Sequence, residues 1–569
     1  MTTWYRTLFF GHLVQDSSLV IGGTSSEPGG PDLQCCRDGQ GRLIIPGTGL
    51  AGALVETIGR ITPEIFSAAS SSDAASQRYR KITAKSWTVP RASESDEMAF
   101  LQSVLHFFPA HLLDAHDATT QSENGERIDT ELRQGVGLRQ TTGASAIEKN
   151  ALYDMEAIPG GCRWSFVLDL DTRRGGSFVE TLVFHALHEW VQGRCWLGAA
   201  AARGTGWMHL EADSLRILRL PMSSEAVEAW PDSTIAAASP LDLFKRLSSV
   251  PQAVAGGVEE LVTWAEAAIP TDEGRFHYLV LDFELQAGPR SDGYGWDDIS
   301  VGGHISEILR PLQRNLLSPS GVDRETFQNA YLPDHPVVTT HWGQTEENQQ
   351  PYAPGSGLRG ALRHVVSAFW RGQGLPVNDP NDPRLQGALG ETEDVGTAQD
   401  VLCEELAGDR VAELFGIAQN SGRILIRDSY LADQDGYTLA WFQHHAEDEF
   451  AGGVYGTSKF DRTSVLSGAF GGQMVIEAAN WDDLVSFVKT LLPALRLAEF
   501  GYVPVGGGRR RGHGHLRWKF TRARHAVAGK PDEGDVTGFA SVADALKALG
   551  LDFQSQTGKG DNEHERNQP

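Results

Sequence analysis

Apolar and polar positions along this chain follow one order, and that order occurs twice. Residues 7–14 and 18–22 form apolar runs that read as a strand leaving into a glycine-rich loop. Leu50, Leu54 and Ile58 recur every four residues, which predicts a helix over 49–60. Residues 100–113 suit a strand and a short helix, and 137–161 set turn residues between two strand-like runs, a protruding hairpin. Residues 164–170 alternate as a strand, 177–191 have helical spacing, and 207–210 read as a closing strand. The second half offers a strand at 278–285, a helix at 358–370, a strand at 423–428, a hairpin at 459–472, a strand at 474–477, a helix at 484–497 and a strand at 515–520.

Two motifs fix the register of the repeat. Pro46-Gly47-Thr48-Gly49-Leu50 returns 308 residues later as Pro354-Gly355-Ser356-Gly357-Leu358, with Arg359 following. At the same offset Gly198, Arg203, Gly204 and Gly206 return as Gly506, Arg511, Gly512 and Gly514. Fixed register at about one domain's length implies tandem copies of one domain. The element order fits an α+β class, two tandem ferredoxin-like or RRM-like domains with insertions, better than a doubly wound sheet. The expected boundaries are 1–215 for the first domain, 216–275 for a connector with a helix at 258–268, 276–525 for the second domain, and 526–569 for an extension. Its last residues, 554–569, are polar and expected to be disordered. Insertions are expected at 61–98, 288–332 and 375–410.

Composition narrows the class. The chain has 569 residues, 40% hydrophobic and 22% charged, ordinary for a globular protein. No apolar run nears the roughly 20 residues that span a bilayer, and the N-terminus lacks a signal-peptide pattern. Five cysteines, Cys35, Cys36, Cys162, Cys195 and Cys403, form no C-x-x-C, against a disulfide framework or a zinc site and in keeping with a cytoplasmic protein. A formal charge of −25 argues against nucleic acid until its distribution is read. Arg509, Arg510, Arg511, Arg517, Lys519, Arg522 and Arg524 run together without an acid, and residues 78–91 are basic too, while acids collect at 391–409.

Pro-Gly-x-Gly-Leu at a helix start can be an ordinary loop entry or a set of amides that favours an anion. The glycine loops can be tight turns, but Arg509, Arg510 and Arg511 in one of them suit phosphate, and the absence of Gly-Lys-[Ser/Thr] excludes a Walker loop. In the first loop Ala199, Ala200, Ala201 and Ala202 replace two glycines and two arginines, consistent with a packing role. His444 and His445 read as a solvated loop, and Trp164, Trp196, Phe415 and Trp441 as core.

These motifs, in this order, resemble the RAMP superfamily of CRISPR-associated proteins, most closely the Cas-seven-type, Csm/Cmr-like backbone subunits of type III effectors. The Leu414-Phe415-Gly416 run with Arg423, Arg427 and Asp428 strengthens the match in the second half. The resemblance implies guide RNA (crRNA) lying across an RRM-like core, hairpin thumbs that interrupt the guide–target duplex, and other effector subunits as partners, with no membrane. It implies RNA contacts at Thr48, Gly49, Arg139, Arg203, Ser356, Gly357, Arg359, Arg462, Arg509, Arg510 and Arg511. It further implies a metal-dependent endoribonuclease acting within a complex, with a catalytic aspartate upstream of each Pro-Gly motif: Asp32, and Asp334 with Asp297 or Asp298 as alternatives. The metal would be divalent, Mg2+, and the target RNA would be cut at two sites. Two other readings stay open: a non-cleaving scaffold of the same complex, and an endoribonuclease that processes precursor guide RNA.

Overall fold

The computed structural model describes residues 6–23, 31–63, 103–113, 130–136, 152–220, 239–250, 256–260, 263, 274–288, 339–342, 349–377, 409–416, 422–433, 436–447, 454–509 and 512–551. The expected insertions at 61–98, 288–332 and 375–410, Cys403 and the tail from 554 lie almost wholly outside these residues.

The fold is α+β, with antiparallel ferredoxin-like sheets. In the first half β1 (Arg6–Gln15) lies between β7 (Arg163–Leu170) and β9 (Trp207–Leu210), and β3 (Leu105–Phe107) pairs with the far edge of β7. Helices α1 (Gly47–Ile61) and α2 (Thr172–Val191) cover one face. A short pair, β2 (Ile44–Ile45) and β4 (Ala110–His111), and the hairpin β5 (Glu131–Val136) with β6 (Leu152–Ala157) stand off this sheet. β8 (Cys195–Trp196) extends the β9 edge. The short helix expected within 100–113 is replaced by strands β3 and β4.

Residues 216–220 and 240–248, expected as parts of a connector, pack back on this sheet. β10 (Arg216–Leu220) pairs with β1, and α3 (Pro240–Ser248) sets Phe244 and Leu247 against Phe10, Val167 and Leu218. This covers the face of the first sheet opposite α1 and α2.

The second half has the same strand order. β11 (His277–Ala287) lies between β17 (Val454–Ala478) and β18 (Arg517–Val527), and β14 (Ile424–Ile426) pairs with β17. The remaining strands are β12 (Thr339–His341), β13 (Gln349–Ala353), β15 (Ser429–Leu431), β16 (Thr438–Glu447) and β19 (Gly534–Thr537). Helices α4 (Gly355–Gly372), α5 (Arg410–Phe415), α6 (Trp481–Glu499) and α7 (Val542–Ala548) complete it. β16 and the first part of β17 make a hairpin, but 459–472, expected as the hairpin itself, run within the single strand β17 and supply one arm only. His444 and His445, expected in a solvated loop, pair in β16 with Phe460 and Lys459.

Alternation along β11 shows how the halves stack. Leu279, Leu281 and Phe283 pack with α4 and α6, whereas Tyr278 and Val280 join Leu425, Val475 and Ala526 in the core of the first half. The layers therefore run α3, first sheet, α1 with α2, second sheet, α4 with α6. Polar contacts line the buried seam. Arg60 binds Glu477 at 2.8 Å, and Arg194, held by Glu189, reaches Asp532 at 3.1 Å. His185 Nδ1 lies 2.7 Å from the Gly529 carbonyl, and Ile61 packs under Gly529. Trp164, Trp196 and Phe415 are core, as expected.

The two glycine loops share a backbone. Gly198, Ala200, Gly204 and Gly206 have φ of 76°, 63°, 111° and 74°, and Gly506, Gly508, Gly512 and Gly514 have 83°, 70°, 89° and 84°. Among the described residues Ala200 alone of the non-glycine residues has positive φ. Left-handed backbone costs an L-residue about 1–2 kcal/mol, partly offset in a glycine by unfolded-chain entropy, so Ala200→Gly should stabilise by about 0.5–1 kcal/mol. Urea denaturation checks this; an unchanged or lower midpoint would show the loop tolerates alanine without strain.

Candidate nucleic-acid interface

The Pro-Gly motif is first a packing device. At Gly355 a Cβ would strike the Ile426 carbonyl and lie 2.8 Å from the Gly204 Cα, and at Gly47 it would strike the Phe107 carbonyl. Each helix can thus start tight against the strand end beneath it. The amides are largely spoken for. Gly355 N–H donates to Asp428 Oδ1 at 2.8 Å, and Gly357 and Leu358 N–H donate to the Pro354 carbonyl; Gly49 and Leu50 do the same to Pro46. The anion cradle that the sequence offers at these helix starts is accordingly reduced, although Thr48, Ser356 and Gly357 are exposed and Gly49 is half-exposed.

The first glycine loop closes over the second helix start. Gly204 lies so close to Asp428 and Gly355 that a Cβ there would strike Asp428 Oδ1. This brings two of the expected RNA contacts together. Arg203, exposed on the loop, is near enough to Arg359 to act on its charge. Arg359 reaches under the helix and donates to the Phe415 and Ile424 carbonyls, while Arg363 donates to the Gly416 carbonyl at 2.8 Å. Burial, then Arg363 and Arg203, pull the Arg359 guanidinium down to about 9. Arg427, whose charge acts on His209 instead, carries a buried Nε with no hydrogen-bond partner. Guanidiniums brought this close to one another favour an anion between them.

Other expected contacts fall elsewhere. Arg462 is buried at the base of the second hairpin, opposite Phe442. Arg509 is half-exposed on the second glycine loop, whose His513 is buried against Phe442. Arg139, Arg510, Arg511, Asp334, Asp297 and Asp298 lie outside the described residues. The basic run along β18 is largely neutralised by acids on its neighbours: Lys519 faces Glu284, Arg522 binds Asp535 at 2.6 Å, and Arg524 lies 3.4 Å from Asp282.

Asp32 is exposed beside the first hairpin. Its Oδ2 accepts the Asp154 N–H at 3.0 Å, and Leu33 bridges Met155 on β6. Asp154 Oδ1 is buried without a hydrogen-bond partner. Among the described residues no three His, Cys, Asp or Glu side chains converge as a ready metal site.

Sequence reading missed the group that ties the first hairpin to the second helix start. Arg133 on β5 binds Asp428 at 2.7 Å and donates to Ser18 Oγ at 2.6 Å, and its guanidinium lies 4.8 Å from the Tyr352 ring centroid. Tyr430 OH accepts the Ser18 N–H at 3.1 Å and lies 3.5 Å from Asp428 Oδ2. Burial lifts the Asp428 carboxyl above its ordinary range, against the pull of Arg133. Nearby, Thr340 on β12 donates to Glu131 at 2.6 Å, and Gly160 bridges Trp342. These partners sit far apart in the chain, so no local pattern announces them.

The model of the RAMP superfamily matches residues 339–517, from the first residue of β12 to the first residue of β18. The second half carries a RAMP-superfamily domain. No curated protein matches the chain. The RAMP match spans the Pro-Gly helix start, the Arg359 and Arg363 side chains, the hairpin and the second glycine loop. It suggests a CRISPR-associated, RNA-binding protein. Among the described residues no helix is long and apolar enough to cross a membrane.

The RAMP helix start is thus held by a carboxylate that only the first half neutralises. Arg133 is 9% and Asp428 0% exposed, and breaking such a pair by removing one partner costs about 3–5 kcal/mol. Arg133→Met should lose that much in denaturant unfolding, and Asp428→Asn in the same background should recover part of it. Strictly additive losses would mean that the two charges are not coupled.

Proposed function

We propose that the chain is two fused backbone domains of a type III CRISPR RNA-guided effector, holding guide RNA along the junction between its halves and cutting target RNA through Asp32 and Asp334. The observation that carries the RNA-binding reading is the meeting of Arg203 from the first glycine loop with Arg359 at the second helix start. The tandem reading is supported by the shared strand order and by the same four positive-φ positions in both loops.

The cleavage reading rests on position. RNA supplies its own nucleophile, the 2′-OH, so a protein that splays one nucleotide can gain most of its rate by alignment. Asp32 stands exposed against the hairpin that would do this. Asp32 and Asp154 would hold a divalent cation such as Mg2+, which takes one or two carboxylates together with phosphate oxygens and water. That ion would neutralise charge developing on the phosphate. Asp32 would keep the cation beside the scissile phosphate, and the Asp154 N–H would fix the rotamer of Asp32.

A cleavage assay of the assembled complex on labelled target RNA tests both parts, using Asp32→Ala, Asp334→Ala, their combination and Arg203→Ala. Each aspartate variant should erase one cut and keep the guide; cuts surviving in the double variant would remove the catalytic assignment. A wild type that holds guide and never cuts would leave the scaffold reading. Arg203→Ala should weaken guide binding and flatten its log–log salt dependence by about one unit of slope. An unchanged slope would take the junction off the RNA path.

A further inference from the structure

The seam between the halves shows what covers the outer side of a helical layer in this protein, and among the described residues no sheet lies on the outer side of the second layer. In the first half five positions on α1, α2 and the turn after α2 meet the second sheet or the turn between β18 and β19: Arg60, Ile61, His185, Glu189 and Arg194. Each is buried. At the 308-residue offset stand Ala368, Phe369, Pro493, Leu497 and Tyr502. The offset holds in backbone too, since Gly193 and Gly501 share positive φ of 78° and 80°. Every charged or polar side chain of the set has become apolar or aromatic, and the surface is open: Phe369 is 37% and Tyr502 65% exposed. Among the described residues, four of the seven exposed large apolar side chains, Phe369, Leu375, Phe500 and Tyr502, lie on this one layer. Clustered exposed apolar groups mark an interaction site where scattered ones do not.

We propose that the outer face of α4 and α6 docks the open face of an antiparallel sheet in a different protein subunit. The internal seam supplies the geometry, a sheet face lying on a helix pair. The loss of the arginines and of Glu189 sets the partner's chemistry: it meets Tyr502 and Phe369 with apolar side chains rather than with carboxylates like Glu477 and Asp532. A second copy of this chain does not fit. Its first sheet is closed on the outer side by Phe244 and Leu247 of α3, and its second sheet is occupied by its own α1 and α2. Growth by this seam therefore stops at one copy.

This inference rests on the reading of the chain as one subunit of a larger ribonucleoprotein, and its test separates the two. A photo-crosslinking phenylalanine analogue is placed at 369 and at 502 of the full chain in its native host, and cross-linked peptides are mapped. Both positions should link to one polypeptide other than this chain, at alternate residues of its strands. Phe369→Glu with Tyr502→Glu should release that polypeptide at least tenfold, leave the melting temperature of the isolated chain unchanged, and leave RNA bound to the chain. Links to a second copy, links to another segment of the same chain, or no links while RNA is bound would each overturn the inference. Mapped links to a partner sheet in a chain that carries no RNA would uphold the docking face and overturn the functional reading instead.

Discussion

Everything at the junction depends on one buried carboxylate. Asp428 is fully buried, and its charge is tolerable only because Gly355 N–H, the Arg133 guanidinium and the Tyr430 hydroxyl surround it. These groups come from a helix start and a strand end in one half and from a hairpin strand in the other. Gly204 must lack a side chain for the loop above to approach. Removing any member exposes the rest to an uncompensated cost, so hairpin, loop and helix hold position as one unit. The cations Arg203 and Arg359 take their places from that unit.

The corresponding place in the first half is built differently. The Phe107 carbonyl meets Gly47 as the Ile426 carbonyl meets Gly355, which sets Pro109 where Asp428 stands. The first helix start has no carboxylate in that place. The loops differ in the opposite sense: the inner loop has Ala201 and Ala202 where the outer one has Arg509 and Arg510. Alanines suit a loop pressed against another domain, and arginines suit a loop that faces anions or solvent. The two halves share a backbone but have divided the work of packing and of charge between them.

Much of this was legible before the fold was known, and the reasons are local. The glycine pattern has to survive wherever φ is positive or a backbone comes close, so register and loops could be read from Pro46, Pro354, Gly198 and Gly506. The strands 164–170 and 207–210 and the helices around 358–370 and 484–497 follow directly from side-chain period. What escaped is what only tertiary contact decides. β10 and α3 look like linker because their burial depends on a sheet far upstream. The β18 bases look like an RNA track because the acids that neutralise them, Asp282, Glu284 and Asp535, sit on neighbouring strands. Arg133 looks like any polar strand residue, since its partner lies in the other half.

The composite character of the site constrains how such a chain can work. Arg203 alone is an exposed cation on a short loop, the kind of contact that salt screens readily. Arg359 alone is a guanidinium pulled under its helix by backbone carbonyls. Only when the first loop sits on the second helix do they share one electrostatic environment, and that placement is set by Asp428 rather than by RNA. On the proposed reading the anion site would be preorganised by folding: its ordering cost would be met before any ligand arrives, which would leave more of the contact energy for affinity. A single domain of this type would have to assemble the same site between separate chains, with an added cost of association. On the proposed tandem reading, joining two domains in one chain would convert that step into folding, with the buried Arg133–Asp428 pair holding the halves in register.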